Sequence, residues 1–287
     1  GREHDGCDEY LSPRGLIDMH AFDYHRPTSL ADAKALYATL EDPMYVSGGM
    51  TLIPSMKQRL AAPSDLIDLS SLSELQGIAQ LNDAHGATFR VGGLTRHNEV
   101  ADSALIQQHM PVLGQVAAAI GDNQVRNRGT LGGSIANAYP AADLPAALLA
   151  MKAVVNTQDS QTPADDFFLD LFETALDAGD IVVSVDFSPP LQAVYEKFRH
   201  PASGYAVVGV LVARYADGVR VGVTGAGPCA FRACAMEEAL NQEFLPQAID
   251  AVDIPDAGFN GDMHASAEYR AHLIKVLTKR AVQTLLS

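Results

Sequence analysis

Thr130-Leu131-Gly132-Gly133-Ser134-Ile135-Ala136-Asn137-Ala138-Tyr139-Pro140-Ala141-Ala142-Asp143 is the stretch that most limits what this chain can be. Adjacent glycines flanked by hydroxyl residues, then an Asn and an Asp ahead of an apolar run, describe a backbone built to approach an anion closely. Glycine removes the Cβ that blocks such an approach and tolerates φ > 0. Consecutive N–H groups in a turn of this kind form a concave nest for phosphate. A Gly-Gly pair by itself is equally a tight connection between two elements. Upstream, Ser47-Gly48-Gly49-Met50-Thr51-Leu52-Ile53-Pro54 repeats the chemistry directly after the β-prone Met44-Tyr45-Val46. Two separated, hydroxyl-flanked Gly-Gly loops suit a ligand with two phosphates, a dinucleotide.

Ser-Gly-Gly-Met-Thr-Leu and Thr-Leu-Gly-Gly-Ser, with the trailing Asn137 and Asp143, resemble the two FAD-pyrophosphate loops of a known family. It is that of the medium, flavin-binding subunits of molybdenum hydroxylases, of the xanthine dehydrogenase and aerobic carbon monoxide dehydrogenase type. The resemblance runs from about Ile17 to the C-terminus, with both loops in the expected order. It implies an α+β chain. A two-part N-terminal α/β FAD-binding domain, of the vanillyl-alcohol-oxidase type, precedes a C-terminal antiparallel sheet with helices. It assigns cofactor contacts to Val46, Ser47, Gly48, Gly49, Met50, Thr51, Leu52, Ile120, Thr130, Gly132, Gly133, Ser134, Asn137, Asp143, Val182 and Lys197. A His follows the glycines in some related FAD folds and carries covalent flavin; Met50 stands there, which implies noncovalent FAD. Asp143 is expected at the ribose or pyrophosphate, and equally as the N-cap of the next helix. Val182 is expected to pack on the isoalloxazine, and Lys197 to reach the ring, where a cation favours the anionic reduced form. Lys197 also has an ordinary reading, as a charge on a solvated strand face.

Composition narrows the function further. The length of 287 residues suggests two or more domains, and 47% hydrophobic content allows a real core. A net charge of −15 argues against nucleic acid, whose phosphates need a basic face. No apolar run approaches the roughly 18 residues of a spanning helix. Gly1 to Gly15 is polar and aperiodic and reads as a tail or tag. Cys7, Cys229 and Cys234 cannot supply the four thiolates of an iron–sulfur cluster, and Cys229 and Cys234 read as buried free thiols. So few cysteines fit a reducing compartment, hence a cytoplasmic location.

Along the chain, Thr28 is expected to cap a helix over 29–40, with Leu30, Ala33, Leu36, Tyr37 and Leu40 on one face. Strands are expected at 44–46, 66–69 and 88–91, a helical turn at 55–60, a helix start at Thr95 and a helix over 112–120. Asp143-Leu144-Pro145 opens a helix over 146–151. Strand-like runs follow at 153–156, 181–187, 194–198, 207–214 and 219–223, with a hairpin at Asp217-Gly218. Helices at 232–240, 246–252 and 266–286 complete the chain. The boundaries are therefore a tail over 1–15, an FAD-binding domain over 16–179 with subdomains of about 16–70 and 71–179, and a C-terminal α+β domain over 180–287.

Other chemistry is sparse. Gly225-Ala226-Gly227 lacks the later glycine of a dinucleotide fingerprint and reads as a turn. Arg126 and Arg128 could pair with phosphate or form structural contacts. His97 and His109 have no acidic partner at catalytic spacing and read as surface. A flavin site without cluster cysteines or a positioned base points to an electron-transfer subunit. By resemblance, a large subunit oxidises substrate at molybdopterin and a small subunit relays electrons through two [2Fe–2S] clusters, in a dimer of heterotrimers. The rival readings are a free-standing FAD oxidoreductase with its own substrate and a non-catalytic flavin-binding protein.

Overall fold

A computed structural model describes residues 19–83 and 86–287. The expected tail over 1–15, with Cys7, lies outside the described residues. The chain first forms β1 (Asp23–His25), α1 (Leu30–Thr39), β2 (Pro43–Val46), α2 (Leu52–Lys57) and β3 (Asp65–Asp68). The three strands pair in parallel in the order β1-β3-β2. Ser29, not Thr28, caps α1: its extended backbone lets its hydroxyl accept the Asp32 N–H, while the Thr28 hydroxyl donates to the Asp32 carboxylate. Leu30 and Ala33 pack with Ile67, Leu69, Leu72 and Leu75 in a small core of their own. α2 begins three residues before the expected turn, because Pro54, in the first turn, lacks only an N–H that has no helical acceptor there.

The second unit carries β4 (Ile78–Asp83), β5 (Gly86–Gly92), α3 (His97–Asp102), α4 (Ala104–His109), α5 (Pro111–Ala118), α6 (Asn123–Arg126), α7 (Leu131–Asn137) and α8 (Asp143–Ala150). It continues through β6 (Val154–Asn156), β7 (Gln161–Pro163), β8 (Phe168–Asp170), β9 (Glu173–Thr174) and β10 (Ser184–Phe187). Thr95 does not start α3. Its hydroxyl bonds Gly77, and the helix is closed by the Glu99 carboxylate accepting the Arg96 N–H at 2.7 Å. The sheet order is β4-β5-β10-β6-β7. The sequence reading put 181–187 with the C-terminal module, but β10 lies between β5 and β6, with Val185 opposite both Val91 and Val155. Val185 and Phe187 are buried with Phe89, Leu113, Leu131 and Leu148 in the largest core. An alternating strand reads the same whichever sheet receives it, so pairing partners were not legible locally.

The C-terminal part is β11 (Gln192–Arg199), β12 (Ala206–Tyr215), β13 (Gly218–Thr224), β14 (Phe231–Arg232), α9 (Cys234–Gln242) and α10 (Ala267–Leu286). Its four strands are antiparallel in sequence order. Gly218, the second residue of the expected hairpin turn, takes φ +146°, which suits glycine. β12 is apolar from Ala206 to Ala213 because both faces are covered there. Val208, Val210 and Val212 meet Ile274, Leu277 and Ala281 of α10, while Leu211 and Ala213 join the core that contains α8. Gly222 lets α8 lie directly on the sheet, since a Cβ there would sit 3.0 Å from the Ala146 carbonyl carbon. Cys229 is half-buried and Cys234 exposed, against the expectation that both are buried. Cys234 opens α9, where its side chain faces solvent.

Candidate functional site

The two Gly-Gly segments, more than eighty residues apart in sequence, meet. The Ser47 and Thr130 hydroxyls are hydrogen-bonded at 3.1 Å. A Cβ on Gly48 would lie 2.9 Å from both the Arg128 carbonyl carbon and Gly129 Cα, and closer still to the Arg128 oxygen. A Cβ on Gly133 would lie 2.8 Å from the Ser47 hydroxyl oxygen. Glycine is thus required at Gly48 because the opposite backbone presses on it. Gly132 has the same explanation with a different partner, as its Cβ would fall 2.7 Å from the Gly93 oxygen at the end of β5.

The two segments differ in what they leave free. The second is the first turn of α7, not an open loop, and its N–H groups are used within the chain. Leu131 donates to Thr95, Gly132 to Gly93, Gly133 to the capping Thr130 hydroxyl and Ser134 to the Thr130 carbonyl. The expected phosphate nest is therefore not found there, because β5 and the Thr130 side chain take those donors first. In the first segment, Gly49 adopts φ +70° and the N–H groups of Gly48, Gly49 and Met50 have no hydrogen-bond acceptor among the described residues. Met50 and Thr51 are exposed, Val46, Ser47 and Leu52 half-buried. Arg128 is exposed and makes no ion pair among the described residues, whereas Arg126 is tied to the Ile120 and Gly121 carbonyls. Free amides on a segment that tolerates φ > 0, touched by the backbone of the exposed Arg128, fit the diphosphate of FAD.

Asp143 and Lys197 form the second part of the site. Asp143 is not an N-cap: Ala142 holds that position, and Asp143 is the first residue of α8. Its carboxylate, 3% exposed, receives Lys197 Nζ at 2.8 and 2.9 Å and the Tyr195 hydroxyl. Lys197 Nζ also donates to the Ala119 carbonyl at 3.3 Å, beside the half-buried Ile120. The lysine is therefore neither a solvated charge nor an unpaired cation, since its side chain is 9% exposed and tied to a carboxylate. Burial pushes the Asp143 carboxyl up, against the opposing pull of Lys197 and Tyr195. Burial, with Asp143 as its neighbour, raises Tyr195 well above the ordinary phenol range.

The remaining residues fall around these two. Ser134 and Asn137, one helical turn apart on α7, are half-buried on one face. Val182 is buried in the main core, its carbonyl against Gly93 Cα. Three residues escaped the sequence reading. Tyr195 joins Asp143, and Tyr139 and Tyr205 pack at 4.7 Å with 36% and 44% exposure, a solvent-facing aromatic pair next to α7 and α8. An aromatic two residues before Lys197 was the available signal for Tyr195. His97, expected at the surface, is 4% exposed with Nδ1 unpartnered; it packs under Gly129, and burial lowers it to about 4. His109 is half-buried against Phe89.

Comparison with known proteins gives the family. Residues 20–189 match the FAD binding domain in molybdopterin dehydrogenase, and residues 193–285 match the CO dehydrogenase flavoprotein C-terminal domain. The carbon monoxide dehydrogenase medium chain of Hydrogenophaga pseudoflava is 32% identical, over 91% of this chain and 96% of that one. The nicotine 6-hydroxylase medium subunit of Paenarthrobacter nicotinovorans is 33% identical, over 93% and 98% respectively. A solved structure of reconstituted CO dehydrogenase from Oligotropha carboxidovorans superposes with a TM-score of 0.85 at 29% identity, covering 93% of this chain and 98% of its own. Two adjoining domain matches, and relatives aligned over nearly their whole length, settle the family: this chain belongs to the FAD-binding medium subunits of the molybdenum hydroxylases.

Proposed function

We propose that this chain binds one FAD noncovalently and serves as the electron-accepting flavoprotein subunit of a molybdenum hydroxylase complex. The observation that carries the reading is the junction of the two Gly-Gly segments, with free amides on Gly48 to Met50 and the Asp143–Lys197 pair close behind the second segment. The first segment and Arg128 hold the diphosphate. Ser134, Asn137 and Asp143 orient the ribityl side, while Val182, Ile120 and Lys197 meet the ring. FAD, when bound, supplies the redox exchange, which no side chain here provides. The partners are a large molybdopterin subunit and a small subunit with two [2Fe–2S] clusters, assembled as a cytoplasmic dimer of heterotrimers. No helix among the described residues is long and apolar enough to cross a membrane. Relatives at 32% and 33% identity belong to complexes named for carbon monoxide and for nicotine, which supports placing substrate choice on another chain.

Acid precipitation of the purified complex tests the cofactor assignment. Met50 offers no imidazole for covalent attachment, so the yellow chromophore is expected in the supernatant at about one FAD per chain. Colour retained by the denatured protein would sink the noncovalent assignment, and oxidation of the primary substrate by the isolated chain would sink the electron-transfer role.

A further inference from the structure

Tyr195 has no part in the resemblance, yet the fold is shaped around its hydroxyl. Tyr195 and Lys197 lie two apart on β11 and so share the face turned toward α8. Gly209 of β12 is paired with Lys197, and a Cβ on Gly209 would stand 3.0 Å from Tyr195 Cζ and in hard collision with the hydroxyl. The missing side chain at Gly209 is thus the notch into which the phenol fits. The hydroxyl that fills it donates to Asp143, the same carboxylate that Lys197 grips through both oxygens. The β13 neighbour of Gly209, Thr224, donates to the Pro140 and Ala142 carbonyls and so fixes the entry into α8 that presents Asp143. Other charged or titratable groups around Asp143 are Arg199 on β11 and Tyr205 ahead of β12, with Tyr139 beyond it.

We infer that Tyr195 is a positioning residue that keeps Asp143 ionised as the counter-ion of Lys197, so that the ring side of the site meets a neutral Tyr–Asp–Lys triad and not a bare ammonium. A carboxylate buried to this degree favours its neutral form, and each donor that faces it moves the balance back toward the ion. With both donors present the Lys197 charge is cancelled locally. Removal of the phenol hydroxyl leaves one donor, and Asp143 then takes up a proton at higher pH than in the wild type. Once Asp143 is neutral, the Lys197 charge is uncompensated and favours a reduced, more negative flavin. The inference rests on the proposed reading that Lys197 faces the ring.

Potentiometry of the FAD-loaded complex against pH separates the possibilities. In Tyr195→Phe the flavin midpoint is expected to equal the wild type at high pH and to rise above it as pH falls, with an inflection that the wild type shows only at lower pH. Asp143→Asn, which carries no charge at any pH, is expected to hold the raised value throughout. That is about a tenfold shift in the two-electron reduction equilibrium, or about 30 mV. Gly209→Ala, which fills the notch without altering any triad side chain, should reproduce Tyr195→Phe, and the FAD content and melting temperature of each variant establish that it is folded. If Lys197→Ala moves the midpoint while Tyr195→Phe and Asp143→Asn both track the wild type at every pH, the triad has no electrostatic role and the inference is overturned. If Lys197→Ala also leaves the midpoint unchanged, the placement of the flavin beside this wall fails, and the inference fails with it.

Discussion

Gly48→Ala adds one methyl group where the two Gly-Gly segments touch. Its Cβ would start 2.9 Å from the Arg128 carbonyl carbon and from Gly129 Cα, where ordinary contacts lie at 3.4–4 Å. The segments must therefore part by at least the 0.5 Å between 2.9 and 3.4 Å, and by more at the Arg128 oxygen. Both obstacles are backbone, so no rotamer change relieves them. Overpacking of this kind costs about 1–3 kcal/mol. If the empty protein relaxes by letting the segments separate, the cost appears when FAD draws them together, and affinity falls by about five- to a hundredfold at about 1.4 kcal/mol per tenfold. If the empty protein bears the strain, the melting temperature falls instead. Titration of the apoprotein with FAD, followed by flavin fluorescence, and a thermal melt of the same sample measure both routes. Gly133→Ala is the control: its Cβ meets only the Ser47 and Thr130 hydroxyl oxygens, at 2.8 and 2.9 Å, so its effect should be smaller. A Gly48→Ala protein with wild-type affinity and wild-type melting would refute the contact between the segments as the reason for the glycine.

Lys197→Ala strips a buried carboxylate of its partner and should cost about 3–5 kcal/mol in urea unfolding, with the double change Lys197→Met and Asp143→Leu losing clearly less. Equal losses for the single and double variants would show that the pair does not hold the C-terminal sheet to α8. His97 should make stability pH-dependent in acid. Burial keeps its folded value near 4 while the unfolded chain binds a proton near the ordinary imidazole value of 6.5, so stability is complete above about pH 6.5 and declines as pH falls toward 4. The loss amounts to about 3 kcal/mol, and His97→Gln should flatten that slope in denaturant titrations across this range.

Most of the local architecture can be read from short stretches of chain. The 3.6-residue periodicity of Leu30 to Leu40 and of Ala267 to Leu286 and the apolar run of β12 act within a few residues, so they are legible without neighbours, whereas Ser29 and Ala142 hold the caps expected at Thr28 and Asp143. The paired Gly-Gly segments are visible in the same way, since two adjacent missing side chains signal a close backbone approach. Which contact each glycine serves depends on how distant segments pack. A missing Cβ says that something comes close, and only the fold shows that it is Arg128 and Gly129 at Gly48, Gly93 at Gly132 and the Tyr195 ring at Gly209. The same holds for charge. Lys197 and Asp143 read separately as a strand-face cation and a helix cap, because their partner is more than fifty residues away and the low exposure that joins them is a property of packed layers. His97 was misread for that reason as well: an imidazole without a nearby acid looks like surface until α6 and Gly129 close over it. Patterns that depend on chain-adjacent geometry survive in the sequence, while burial and long-range pairing arise only when β5, α8 and β11 are brought together.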